Sequence, residues 1–93
     1  MRFLLRFRSD ADLVRTALDE GANAAEALVL RYQKKAYAIA RAAGVRGEAA
    51  DDVVQEAFLR TFRHLSSLRN PASFGPWFLV IVRNVSKSHH TRS

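Results

Sequence analysis

The chain contains no cysteine, so neither a disulfide framework nor a thiolate metal site is available to it. No apolar run approaches the roughly 20 residues needed to span a membrane. The opening Met1-Arg2-Phe3-Leu4-Leu5-Arg6 is too short in apolar residues for a signal peptide, so the expected location is the cytoplasm. There is no glycine-rich phosphate loop, no strand-like alternation and no internal repeat. The only histidines are His64, His89 and His90. His89 and His90 are adjacent, so their side chains diverge on a helix, and no acid lies near them. His64 reads as a cation at a helix end. Asp51 and Asp52 are adjacent and diverge in the same way. Nothing pairs a nucleophile with a base, and neither an enzyme nor a bound metal or cofactor is expected. The last absence is of acid: none follows Glu56.

That last gap shapes the charge. Up to Glu56 nine acids are balanced by nine bases, whereas beyond it lie Arg60, Arg63, Arg69, Arg83, Lys87 and Arg92 and no carboxylate, so the whole net charge of +6 (15 − 9) sits in the last third. Such asymmetry points to an anionic polymer as partner of the C-terminal part. A basic membrane-surface helix is a poorer fit, because Asn84, Ser86 and Ser88 interrupt the bases. With 48% apolar and 26% charged residues the composition is that of an ordinary soluble domain, not a disordered chain. Ninety-three residues make one small domain, near the lower limit for a useful core.

Residues 1–8 alternate apolar and basic side chains without a cap and are left unassigned. Ser9 reads as the N-cap of a first helix, with Asp10 and Asp12 in the turn where the helix dipole favours anions. Leu13, Val14, Ala17 and Leu18 form its apolar stripe, and Gly21 stops it. Asn23, with Glu26 three residues on, reads as the capping box of a second helix. Its stripe is Leu28, Val29, Tyr32, Ala36, Ile39, Ala40 and Ala43, and Gly44 ends it. Arg31, Lys34, Lys35 and Arg41 read as its solvated face, with contact to phosphate or to a protein surface as the functional alternative.

The third helix is expected from about Glu48 to Leu65. Val54, Phe58, Thr61, Phe62 and Leu65 recur at spacings of three and four, the mark of a buried face. Asp52, Gln55, Glu56 and Leu59 share that spacing on another face, which offers carboxylates, an amide and a leucine to something outside. The segment 65–73 is the one real loop. Pro71 keeps Asn70 out of helical angles, and either Asn70 or Ser73 can cap the last helix. A weak first turn from Pro71 and a firm helix from Phe74 to about His89 is the preferred arrangement, with Pro76 inside the first turn, where no internal bond is lost. Phe74, Trp77, Phe78, Ile81, Val82 and Val85 are apolar along it, too wide a set to be all core. Val80, Arg83, Asn84, Lys87 and Ser88 fall on the opposite side. The fold class is therefore all-α, a compact bundle of about four helices. Its aromatic residues Phe74 and Trp77 sit among Ser66, Ser67, Arg69, Asn70, Ser73, Arg83, Asn84 and Lys87. That mixture can stack an unpaired base and hold a nucleic-acid backbone, although Phe78 and part of Trp77 read as core.

Asp52-x-x-Gln55-Glu56-x-Phe58-Leu59-Arg60, followed by Ala72-Ser73-Phe74-x-x-Trp77 and Arg83-Asn84, resembles region 2 of bacterial sigma factors of the sigma-70 family, nearest to the extracytoplasmic-function (ECF) group. The likeness runs from about Ser9 to His90. It implies that Asp52, Gln55, Glu56 and Leu59 dock on a coiled coil in the largest subunit of core RNA polymerase. It also implies that the loop 65–73 captures a base from the non-template strand of the minus-ten promoter element, that a residue like Asn84 lies close to that DNA, and that one like Trp77 supports strand opening. An anti-sigma protein is a further candidate partner. Where the family often has arginine, this chain has Gly75 and Val80, and Pro76 and the run Val80-Ile81-Val82 are unusual. Residues 9–93 read as one region 2-like domain, with no second domain of the kind that reads the minus-thirty-five element. Two rivals stay open: a helical interaction module that occupies polymerase or an anti-sigma protein without touching DNA, and a generic helix-turn-helix binder. The acidic start of the third helix counts against the second.

Overall fold

The computed structural model describes residues 8–92, without the side chains of Glu20, His90, Thr91 and Arg92. The reading of residues 1–7 lies outside the described residues. The described residues form four helices, α1 (Asp10–Glu20), α2 (Ala22–Ala42), α3 (Glu48–Arg63) and α4 (Phe74–Arg92), with 3-10 turns at Leu65–Ser67 and Pro71–Ser73.

Local chemistry accounts for most boundaries. Ser9 is extended, and its hydroxyl accepts the Asp12 N–H at 3.1 Å, which satisfies one of the first-turn donors that a helix leaves open. Gly44 (φ 91) follows α2. Its N–H donates to Arg41 O at 2.9 Å, and the N–H of Val45 donates to Ala40 O at 3.0 Å. This is the two-bond Schellman closure, with the buried Val45 supplying the apolar contact that accompanies it. Asn70 caps the turn before α4: its side chain accepts from Ala72 N–H at 3.1 Å, with Pro71 behind it. Pro76 thus stands in the first turn of α4, where its missing N–H costs nothing.

One cap differs from expectation. Asn23 lies inside α2, and Gly21 occupies the cap position with no side-chain bond. A single residue joins α1 to α2, and reversing the chain in that space needs the positive φ of 85 that Gly21 adopts. No extended residue is left at position 23 to cap anything. The third helix is also shorter than expected, ending at Arg63, with Leu65 in the adjoining 3-10 turn.

Aromatic rings hold the core together. Phe78 of α4 stacks on Phe58 of α3 at 4.7 Å between centroids, and Phe74 stacks on Phe78 at 5.8 Å. Tyr32 of α2 meets both edge-on, at 5.4 and 5.7 Å. Three helices are locked through four rings, each pair adding about 0.5–1.5 kcal/mol beyond burial. Leu13, Val14, Leu28, Val53, Val54, Val82 and Val85 fill the rest. Thr61 and Ser86 are buried too, but each hydroxyl donates to the carbonyl four residues back, at 2.7 and 2.8 Å, so no buried side-chain polar atom among the described residues lacks a partner. Leu18, expected in the core stripe, is 48% exposed; it lies in the last turn of α1, where a helix end is least covered. Arg31 is not simply solvated. It donates to Asp10 at 2.8 Å, and Tyr32 donates its hydroxyl to the same carboxylate, tying the start of α1 to α2.

Candidate functional site

On α3 the buried face consists of Ala50, Val53, Val54, Ala57, Phe58 and Thr61. Turning that face inward leaves the opposite one outside. Asp52, Gln55 and Leu59 are exposed, Leu59 by 54%. Glu56 is half-buried and accepts from Arg60 Nε at 2.9 Å, one turn along the same helix. These four positions at i, i+3, i+4 and i+7 form one continuous strip. Asp51 is not part of it: Tyr37 of α2 donates to its carboxylate at 2.7 Å. That bond raises the Tyr37 hydroxyl above its ordinary range, with burial adding to the effect.

The loop after α3 is fixed from inside and polar outside. Leu65 is buried and Leu68 half-buried, so two leucines anchor it. Both 3-10 turns touch α1. Two polar side chains serve the loop itself: Ser67 donates its hydroxyl to His64 O at 2.7 Å, and Asn70 caps the second turn. Ser66, Arg69 and Ser73 are exposed as well, and they are the groups that a ligand would meet first.

On α4 one expectation fails. Phe74 is fully buried between Tyr32, Phe78 and Trp77, so it cannot present a ring face to a base. Its role is to hold Trp77, whose ring packs against it at 6.1 Å and 59°. Trp77 is half-buried and therefore the one aromatic of this segment with surface to offer, while Arg83, Asn84 and Lys87 are exposed. At about 100° per residue, Arg83, Lys87, Val80, Asn84 and Trp77 span about a third of the helix circumference. They form a single side of α4, running from cation to indole.

The packing of α4 on α2 adds a feature that residue spacing did not reveal. An open groove of ≈ 480 Å³ lies between these helices, lined by Tyr32, Lys35, Gly75, Pro76, Leu79, Val80 and Arg83. Gly75 is needed at its floor. A Cβ there would stand 2.7 Å from the Tyr32 hydroxyl oxygen, so any larger residue, arginine included, would displace the tyrosine that Asp10 holds. Gly75, Tyr32 and Asp10 come together only on folding, and the nearest signal in the sequence is the glycine itself. Among the described residues, no three His, Asp or Glu side chains gather as a metal site would require.

Comparison with known proteins shows the family to which the chain belongs. The family described as Sigma-70 region 2 matches residues 28–93. The chain is 42% identical over 60 residues to the probable RNA polymerase sigma factor RfaY of Xanthomonas campestris pv. campestris, covering 64% of this chain and 15% of that protein. It is 31% identical over 86 residues to the RNA polymerase sigma-H factor of Pseudomonas aeruginosa, covering 92% of this chain and 45% of the relative. It is 37% identical over 62 residues to the ECF RNA polymerase sigma-E factor of Escherichia coli, covering 67% and 32%. The chain thus spans less than half the length of these relatives. No solved structure matches it.

Proposed function

Since the chain belongs to the Sigma-70 region 2 family, we propose that it serves in transcription initiation. On this reading it binds core RNA polymerase through the α3 strip Asp52, Gln55, Glu56 and Leu59. It binds the minus-ten element, and helps melt it, through the loop and α4. Residues 9–93 are the unit that does so, in the cytoplasm, where polymerase and promoter are found. No described helix is long and apolar enough to cross a membrane.

The observation that carries the reading is the loop. Its leucines and its cap fix the backbone, while Ser66, Arg69 and Ser73 face solvent, with Trp77 one helical turn further on. Taking a base out of a duplex costs a few kcal/mol. A stacking surface such as Trp77 returns about 1–3 kcal/mol. Arg69, Arg83 and Lys87 can neutralise phosphates, which draws the strand in and holds it. A preformed loop spends little of that on its own ordering. The α3 strip suits a protein partner instead, because carboxylates there would repel phosphates while Leu59 gives an apolar contact. No bond is made or broken in either event.

The test is a pull-down of the chain with purified core RNA polymerase, followed by fluorescence anisotropy with a single-stranded minus-ten oligonucleotide. Capture by polymerase together with salt-sensitive oligonucleotide binding is expected. Capture without any DNA binding would favour a helical module that only occupies polymerase, a reading to which the 48% exposure of Val80 lends support.

A further inference from the structure

The groove between α2 and α4 combines two kinds of surface. Pro76, Leu79 and Val80 supply apolar area, and Val80 remains 48% exposed. Lys35 from α2 and Arg83 from α4 supply positive charge, and no carboxylate is among the lining residues. Lys35 is held at its place, with its ammonium 5.6 Å from the centroid of the Tyr32 ring. Tyr32 is held in place, because its hydroxyl is bound to Asp10 and its ring packs edge-on against Phe74 and Phe78 of α4. The groove is therefore preformed.

We propose that this groove is a docking site for an acidic amphipathic helix of a partner protein. A helix with apolar side chains on one edge and carboxylates beside them would cover Leu79 and Val80 and pair with both Lys35 and Arg83. Helix-in-groove recognition takes this form, with apolar anchors one turn apart. A nucleic-acid backbone fits less well. It would find only two cations, and it would strip water from Pro76, Leu79 and Val80 without giving them an apolar partner. Opposite charges across the rim would set the orientation of the helix and speed its arrival. The docking stands on the fold and the groove alone and does not depend on the DNA reading.

The probe is a short fluorescein-labelled helical peptide carrying leucines one turn apart flanked by glutamates, with a second peptide in which lysines replace the glutamates. The full chain is expected to bind the glutamate peptide and not the lysine peptide. Lys35→Glu, at an exposed position of α2 outside the proposed polymerase and DNA faces, should weaken the glutamate peptide tenfold or more, and so should Val80→Asp, which lies on the side of α4 that the DNA reading also uses. Lys35→Glu should gain affinity for the lysine peptide, and this swap guards against a variant that merely folds less well. Lys35→Glu should keep the oligonucleotide binding of the parent chain. Equal binding of the two peptides, or an unchanged affinity in both variants, overturns the proposal. So does a loss of oligonucleotide binding in Lys35→Glu without loss of the peptide, which would give the groove to nucleic acid.

Discussion

The two proposed faces are built in different ways. The α3 strip is the outside of one regular helix: turning Val54 and Phe58 inward fixes Asp52, Gln55, Glu56 and Leu59 outward, with no help from the rest of the chain. The face made by the loop and α4 is assembled. Its backbone depends on Leu65 and Leu68 beneath the loop, on the Asn70 cap, on α1 lying against both 3-10 turns, and on Phe74 buried under Trp77. A face of the first kind loses only what is cut from it. A face of the second kind can also be lost at a distance.

The largest effect should come from Phe78, which both faces need. It is fully buried and stacks on Phe58 and Phe74. Phe78→Ala should cost about 3–5 kcal/mol, a large part of the stability of a small domain. The measurement is urea unfolding followed by circular dichroism. Next comes the pair Asp52→Lys with Glu56→Lys. It should lower affinity for core polymerase at least tenfold, about 1.4 kcal/mol or more, as read by pull-down or titration. Glu56→Lys sets a like charge beside Arg60, but that i,i+4 repulsion is worth only a few tenths of a kcal/mol, so the melting curve should barely move and oligonucleotide binding should persist. Undiminished polymerase binding would remove the docking assignment and with it one side of the comparison.

Gly75→Ala tests whether the assembled face can be damaged from beneath. The new methyl would stand 2.7 Å from the Tyr32 hydroxyl, and overpacking of this kind costs about 1–3 kcal/mol. Tyr32→Phe removes the clashing atom, so the double variant should lose less than the sum of the two single ones, a coupling that unfolding curves can resolve. The same tyrosine reports on alkaline pH. Burial first, then the bond to Asp10, push its pKa up from 10.0 to about 12. Below pH 10 the hydroxyl is protonated in both the folded and the unfolded state, so this contribution is fully present. Between pH 10 and about 12 the unfolded chain ionises first and stability falls. Tyr32→Phe should flatten that part of the pH profile.

The distinction between regular and assembled also explains what the sequence could and could not disclose. Ser9, Gly44 and Asn70-Pro71 act on neighbours within five residues, so the caps they make are legible from composition and spacing. The α3 strip is legible for the same reason. Asn23 misleads because Gly21 closes one helix and opens the next, and a one-residue reversal leaves no trace in hydrophobic periodicity. Phe74 misleads because α4 carries more apolar residues than one face can hold. Spacing places Phe74, Trp77 and Phe78 close together around the helix but does not tell which ring Tyr32 will cover. The groove of Lys35 and Arg83 belongs to two helices far apart in the chain, and only their packing brings the cations to one rim.

Within the assembled face the indole and the cations should separate by experiment. Trp77→Ala should cost about 1–3 kcal/mol of oligonucleotide binding if a base stacks there, with the salt dependence unchanged, since no charge is removed. Its stability loss should be moderate, because Trp77 is only half-buried.

The smallest effect concerns Arg69, and it separates two sources of affinity that the C-terminal charge would otherwise blur. Arg69 is exposed on a loop whose backbone is held by Leu65, Leu68 and the Asn70 cap, so Arg69→Ala removes a guanidinium without loosening the frame. If it touches a phosphate, the slope of log affinity against log salt should fall by about 0.7, with roughly uniform weakening across DNA sequences. For single strands the slope is about 0.7 per contact, so titrations from low to moderate salt are needed to see the difference. If Arg69 meets a base edge instead, the slope should hold while preference among minus-ten sequences relaxes. An Arg69→Ala chain identical to the parent in both slope and preference would confine DNA contact to α4, and the assembled face would shrink to one helix, built in the same manner as the α3 strip.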